Sequence, residues 1–173
     1  MRRPEGAPRK ILPVLAMVAF LAAGRGSAQP PGDAFRDPFI GSLAGKWDLT
    51  RKIRGGEARN TVDVRWVLDH RFLEVHMVDV ARPPKYEALV LIGGAGDGRY
   101  VAHWCDTYGG KYSAIGYGKR SGDSIEFEFA YSDGPFYNTF TWHPERREWT
   151  CRLENVDKDG KRILFAEDTL RRP

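Results

Sequence analysis

The sequence predicts an all-β fold: an antiparallel, up-and-down β-barrel of about ten strands with a short N-terminal helix. Apolar and polar residues alternate in several segments, as at Ile125–Phe129, where Glu126 and Glu128 separate three apolar residues. Such alternation is typical of antiparallel strands with one buried and one solvated face. Short turns rich in Gly, Pro and Asp separate these segments at nearly regular intervals.

Closure of the sheet follows from its connections. Parallel neighbours need crossovers of about a dozen residues or more, whereas the turns in this chain are short. Consecutive antiparallel strands leave two exposed edges unless the sheet closes on itself, which favours a barrel. A two-sheet sandwich is the alternative, but the even spacing of the hairpins, without a long connection between sheets, argues against it.

The short helix is expected at residues 37–43, because Asp37 is a suitable N-cap and Pro38 a suitable first helical residue. The ten predicted strands follow it. They cover residues 46–53, 60–68, 71–81, 86–93, 99–107, 111–118, 124–131, 136–143, 148–156 and 162–171.

The first 28 residues have the three-part layout of a secretory signal peptide. Met1–Lys10 is basic, Ile11–Ala23 is apolar except for Pro13, and Gly26-Ser27-Ala28 offers small residues to a signal peptidase. The apolar run is too short for a membrane-spanning helix, which needs about 20 residues. We therefore expect a signal peptide at 1–28, a flexible lead-in at 29–36 and a barrel domain at 37–173, exported to the periplasm or secreted, without a membrane span in the mature protein.

The charge balance gives no indication of a nucleic-acid partner. Five of the 27 basic residues and one of the 23 acidic residues lie in the first 28 positions, which leaves 22 of each in the remainder. The basic isoelectric point therefore comes from the leader, and the predicted mature protein is formally neutral.

Three segments resemble a known superfamily. Leu43–Asp48 contains Gly-x-Trp at the start of the first strand, and Arg65–Glu74 and Tyr100–Asp106 follow later in the chain. The first segment resembles the signature of calycins, which include lipocalins, fatty-acid-binding proteins and nitrobindin-like barrels. The other two are similar to bacterial exported lipocalin-like domains of unknown function. The resemblance implies that Trp47 closes the barrel floor, with Arg171 or Arg172 over its ring.

The aromatic residues on the strands are the candidate ligand-binding residues. A barrel wider than eight strands leaves room for a cavity, which these rings would line. We therefore expect a small apolar or amphipathic ligand in the barrel interior. A filled core, as in a structural or interaction module, is the alternative. The candidate residues are Trp66, Phe72, Trp104, Phe127, Phe129, Phe140 and Trp142.

An enzyme acting on a small substrate inside the barrel is a further alternative, although the sequence favours binding over catalysis. Glu74 and His76 share one face of the third predicted strand, where they would form a base and its orienting partner. The same pattern is also that of an exposed polar pair. The four histidines show no metal-ligand spacing, so no metal site is expected.

Haem is considered and disfavoured as a cofactor. The resemblance implies a haem-binding histidine near the end of the chain, as in nitrobindin-like barrels. Residues 163–170 contain no His, Cys, Met or Tyr, the side chains that hold haem iron. His143 follows Trp142, and neighbouring residues of a strand face opposite sides of the sheet. Trp142 is the residue expected to face the interior, so His143 is expected to face outward.

The two cysteines are expected to be free thiols. Cys105 lies on the fifth predicted strand and Cys151 on the ninth, which are not neighbours in an up-and-down barrel. A disulfide needs Cα atoms within about 7 Å.

N-terminal sequencing of the exported protein tests the signal peptide. We expect the chain to begin at or close to Gln29, because Gly26 and Ala28 are small residues at the positions that a signal peptidase reads. Detection of Met1 on the exported protein would contradict this expectation.

Overall fold

A computed structural model describes residues 35–173. The chain forms a closed antiparallel barrel in which each strand pairs with its sequence neighbours and β1 pairs with β10. A short helix, α1 (Pro38–Gly41), precedes it. The strands are β1 (Gly45–Ile53), β2 (Gly56–Val67), β3 (Phe72–Asp79), β4 (Glu87–Gly94), β5 (Tyr100–Asp106), β6 (Ala114–Ser121), β7 (Ser124–Tyr131), β8 (Gly134–His143), β9 (Glu148–Val156) and β10 (Arg162–Arg171).

The predicted fold class is confirmed, and all ten strands lie where the alternation indicates. Three boundaries differ by three or more residues: the start of β2 and both ends of β6, which ends at Ser121 instead of residue 118. β2 begins at Gly56 instead of residue 60, because it pairs with β1 along the whole of that strand. β6 begins at Ala114 instead of residue 111, because Gly110–Tyr112 forms a turn of 3-10 helix. The predicted signal peptide and most of the lead-in lie outside the described residues.

Helix α1 is shorter than predicted, but its cap is as expected. The backbone N–H of Phe39 donates to the Asp37 carboxylate over 2.8 Å, and the Tyr100 hydroxyl donates to the other oxygen of that carboxylate. Ile40 and Leu43 are fully buried beneath the barrel. The helix therefore closes one end of the barrel, which we call the floor; the opposite end is the open end.

Trp47 anchors the floor. Its indole Nε1 donates to the carbonyl oxygen of Leu43 over 2.6 Å, and the side chain is 1% exposed. The guanidinium of Arg172 lies 3.7 Å from the centre of the Trp47 ring, which is the packing that the resemblance implies. Arg171 instead forms an ion pair with Glu148 at 2.8 Å. The basic residue over the floor tryptophan is therefore Arg172.

Both cysteines are free, as predicted. Cys105 is exposed on the outer face of β5, and Cys151 is buried on β9. Burial raises the pKa of the Cys151 thiol well above its ordinary value, and the nearby carboxylate of Asp168 adds to the shift. Within residues 35–173, no helix is long and apolar enough to cross a membrane.

Replacement of Trp47 tests the packing of the floor. We expect Trp47→Ala to lower the free energy of unfolding by about 3–5 kcal/mol, the range for loss of a large buried aromatic side chain. Denaturant unfolding followed by circular dichroism measures the change. Tyr117→Ala is the control, because Tyr117 is 51% exposed on the outer face. A loss of less than about 1 kcal/mol at Trp47 would contradict this role of the residue.

Candidate functional site in the barrel interior

Most of the predicted ligand-binding aromatics face the barrel interior. Phe127 and Phe129 are fully buried, and Trp104, Phe140 and Trp142 are partly buried against the core. Phe127 and Phe129 lie close over β6, where a Cβ at Gly118 or Gly116 would stand only 2.7 Å from their ring atoms. Glycine at these two positions therefore allows the rings to form one wall of the interior.

Two of the predicted aromatics lie elsewhere. Trp66 packs beside the floor, where its ring stacks on His70 with centroids 5.6 Å apart. Phe72 lies on the outer face of β3, against His103. The inner face of β3 belongs to the buried residues Leu73 and Val75 and to Met77, which alternate with Phe72. The prediction that Phe72 lines the interior is therefore wrong.

Glu74 and His76 share a face of β3, as predicted, but it is the outer face. Each side chain has its own partner across the sheet: Glu74 forms an ion pair with Arg65 at 2.7 Å, and His76 Nε2 is hydrogen-bonded to Glu87 at 2.7 Å. The structure therefore does not bring them together in the interior, and it places them in the exposed polar arrangement that the sequence also allows.

A buried ion pair joins the neighbouring first and last strands on the inner face of the barrel. Arg51 on β1 lies opposite Asp168 on β10, and its Nε and Nη2 donate to the two carboxylate oxygens, both over 2.7 Å. The two side chains are 10% and 3% exposed. Burial lowers the pKa of the Arg51 guanidinium, but hydrogen bonding to Asp168 and its charge outweigh burial and raise the pKa overall. The Arg51 guanidinium is therefore charged.

A second polar group lies nearer the open end. The guanidinium of Arg51 is 5.6 Å from the centre of the Tyr86 ring. The Tyr86 hydroxyl donates to Asp106 over 3.4 Å, and the Trp104 indole donates to the same carboxylate oxygen over 3.2 Å. Burial raises the pKa of Tyr86 to about 12; Arg51 opposes this shift and Asp106 adds to it. Tyr86 is therefore a neutral donor at physiological pH.

Asn138 places a hydrogen-bond acceptor in the interior that receives no hydrogen bond from the described residues. It lies on the inner face of β8, is 2% exposed, and its Oδ1 has no hydrogen-bond partner within the described residues. A buried polar atom without a partner destabilises a fold by roughly 1–3 kcal/mol. The atom is therefore suited to receive a hydrogen bond from a molecule inside the barrel.

The apolar side chains of the interior do not form one continuous core. Cys151, Leu153 and Ala166, on β9 and β10, form a small cluster separate from the main one, and both clusters contact the partly buried rings of Phe136 and Phe140. Inward-facing rings retain exposed surface only where space beside them admits solvent. Trp104, Phe136 and Phe140 are partly buried, and we call the region of the interior beside these three rings the recess. A separate depression of about 690 Å³ lies at the β1–β2 hairpin, beside β10.

The interior polar residues are absent from the sequence-based candidates, although the alternation contains a signal for them. Arg51 continues the buried series of Trp47 and Leu49 on β1. Asp168 likewise stands between the inward-facing Ala166 and Leu170 on β10. A charged residue on an otherwise apolar strand face is the pattern that indicates both.

All four histidines lie outside the interior. His76 and His143 face outward, with Glu87 and Thr150 as their respective partners. His103 faces outward on β5 against Phe72, and His70 stacks on Trp66 near the floor. Within residues 35–173, no three His, Cys, Asp or Glu side chains converge in a way that would hold a metal ion.

Comparisons with known proteins support the fold alone. No protein family matches the sequence, and no curated protein matches it. The crystal structure of Rv2717c from M. tuberculosis is similar, with a TM-score of 0.58 and 15% identity over 82% of this chain and 99% of that chain. A redesigned β-barrel, b11L5F_LGL, aligns with a TM-score of 0.32 and 14% identity over 77% and 93% of the two chains.

Variants of the buried ion pair test its role. We expect Asp168→Ala to lower the free energy of unfolding by about 3–5 kcal/mol, because Arg51 would remain buried without its counter-charge. The double variant Arg51→Met/Asp168→Leu removes both charges and should restore most of that loss. Thermal and denaturant unfolding measure both. Equal losses in the single and double variants would show that packing, and not the uncompensated charge, determines the effect.

Proposed function

We propose that this protein binds a small amphipathic molecule in the recess of the barrel interior, outside the cytoplasm. The apolar part of the ligand lies against Trp104, Phe136 and Phe140. Its polar atoms lie toward Asn138. A binding site of this kind, with apolar walls and a few convergent polar groups, is the usual form of small-molecule sites in proteins.

The unpartnered Oδ1 of Asn138 is the observation that carries the proposal. Among the described residues, Asn138 Oδ1 and the Nε1 of Trp149 in the packed floor are the buried side-chain polar atoms without a partner, and an unpaired buried acceptor is unfavourable. A ligand that donates a hydrogen bond removes this penalty. The partly exposed rings of Phe136 and Phe140, on either side of Asn138 along β8, support the same location.

The two alternatives have less support. A filled-core module agrees poorly with the separate apolar cluster on β9 and β10. An enzyme that uses Glu74 and His76 would have to act on the outer surface, where Glu74 is paired with Arg65 and His76 is hydrogen-bonded to Glu87. The exclusion of haem stays a prediction; the outward positions of His76, His103 and His143 agree with it.

Titration with the neutral fluorescent probe N-phenyl-1-naphthylamine tests binding in the recess. We expect saturation at one equivalent, with enhanced emission from the apolar environment. Ala114 faces inward beside Trp104, so Ala114→Phe should fill the recess and weaken binding at least tenfold. Ala130→Phe makes the same substitution on the exposed outer face and is the matched control.

Native mass spectrometry of protein purified from its own host complements the titration. A bound mass that is present in the wild type and in Ala130→Phe but lost in Ala114→Phe would support the proposal. The proposal is wrong if no probe binds stoichiometrically and no mass is retained, or if Ala114→Phe binds as well as its control.

A further inference from the structure

Asp106 is a carboxylate at the open end that no cation of the described chain neutralises. Its hydrogen-bond donors are the backbone N–H of Tyr108 over 2.9 Å, the Trp104 indole over 3.2 Å and the Tyr86 hydroxyl over 3.4 Å. All three donors are uncharged. Within residues 35–173, no lysine, arginine or histidine forms an ion pair with Asp106.

Four tyrosines form a rim around this carboxylate, which we call the tyrosine rim: Tyr86, Tyr108, Tyr112 and Tyr131. The rings of Tyr86 and Tyr108 are 5.9 Å apart, and those of Tyr108 and Tyr112 are 6.2 Å apart. The Tyr131 hydroxyl donates to the carbonyl oxygen of Tyr112 over 3.1 Å. Burial, together with the charge of Asp106, raises the pKa of Tyr131, so its hydroxyl lies within the electrostatic reach of that carboxylate.

The tyrosine rim presents aromatic surface to solvent. Tyr108 is 68% exposed and Tyr112 is 49% exposed, and both lie in the short connection between β5 and β6. Exposed aromatic rings at the entrance of a recess are more consistent with contact to a ligand than with packing of the fold.

Aromatic faces attract cations within about 6 Å of the ring centre, and this end of the barrel already shows such contacts. Arg51 lies 5.6 Å from the Tyr86 ring centre, and the Nζ of Lys111 lies 5.4 Å from that of Tyr112. The charge of Arg51 is matched by Asp168. Asp106 therefore has no ion-pair partner among the described residues, and it lies beside the rings of Tyr108 and Tyr131, over which no cation of the described residues lies.

A ligand that covers Asp106 would remove water from the carboxylate. An unpaired charge that loses its water destabilises a complex strongly, whereas a positive group beside it offsets the loss. A neutral head group at this position would leave the charge of Asp106 unbalanced. An anionic head group would be repelled by that charge. The charge of the ligand's head group therefore determines whether the ligand can bind with that group beside Asp106 at the open end.

We propose that the ligand carries an organic cation, a protonated amine or a quaternary ammonium group, which binds between Asp106 and the tyrosine rim. The apolar remainder of the molecule extends into the recess. This inference rests on the proposed function, because it names the chemical class of the ligand that the barrel interior holds.

Three ligands with the same ten-carbon chain distinguish the contribution of the head group to affinity from that of the chain. Decyltrimethylammonium is cationic, decanol is neutral and decanoate is anionic. Isothermal titration calorimetry of the full barrel, below the micelle concentration of each ligand, should show binding at one equivalent for the cation. We expect the cation to bind at least tenfold more tightly than decanol, and decanoate to bind most weakly.

Asp106→Asn removes the negative charge and keeps an oxygen acceptor. We expect this variant to bind decyltrimethylammonium at least tenfold more weakly and to bind decanol at least as tightly as the wild type does, because no charge then loses its water. Asp159→Asn is the matched control, because Asp159 is an exposed carboxylate in the β9–β10 hairpin at the same end of the barrel. Tyr108→Leu, at an exposed position that the fold does not need, should also weaken the cation several-fold and leave decanol unaffected.

The outcomes distinguish the two proposals. Equal affinities for the three ligands, or an unchanged preference for the cation in Asp106→Asn and Tyr108→Leu, would overturn the cation inference while binding in the recess stands. Absence of stoichiometric binding by all three ligands would overturn both.

Discussion

The pairing of the first strand with the last is the constraint on which the rest of the structure depends. β1 and β10 close the barrel in one register, with Leu49 opposite Leu170 and Arg51 opposite Asp168. A slip of one residue would turn each strand's inner residues outward, because strand side chains alternate between faces. The buried ion pair forms its two hydrogen bonds only in the observed register. It therefore favours this register of β1 and β10 over registers shifted by one or more residues.

Closure also divides the interior into two parts with different properties. Near the floor, Trp47, Trp149 and the two buried residues of α1, Phe39 and Ile40, pack closely, in keeping with a structural role. Toward the open end, polar groups replace apolar ones and the inward-facing rings keep part of their surface exposed. The floor is therefore the more tightly packed of the two parts, and the proposed binding site lies in the other.

The sequence contains more information on the fold than on the site. Regular alternation of apolar and polar residues predicts the positions of the strands, because it shows directly which face of each strand is buried. The same rule, applied to Leu73, Val75 and Met77, also gives the correct outward position of Phe72. Arg51 and Asp168 are harder to recognise, because charged residues are ordinarily solvent-exposed and only their apolar strand neighbours indicate otherwise.

Other parts of the site cannot be derived from local pattern. The contact of Tyr86 with Asp106 joins the segment before β4 to the end of β5, and the tyrosine rim depends on the conformation of the β5–β6 connection. Both are tertiary arrangements of short loops, for which alternation gives no signal. Likewise, the absence of a partner for Asn138 Oδ1 depends on which side chains reach across the interior.

Fluorine NMR of protein labelled with 5-fluorotryptophan tests the location of the ligand most directly. The chain has five tryptophans. Trp104 lies beside the proposed binding site, Trp47, Trp142 and Trp149 pack together at the floor, and Trp66 lies beside the floor. On saturation with N-phenyl-1-naphthylamine, the Trp104 resonance, assigned with Trp104→Phe, should shift most, and those of Trp47 and Trp149 should stay in place. An unchanged Trp104 resonance at saturation, or a shift confined to Trp66, would contradict binding inside the barrel.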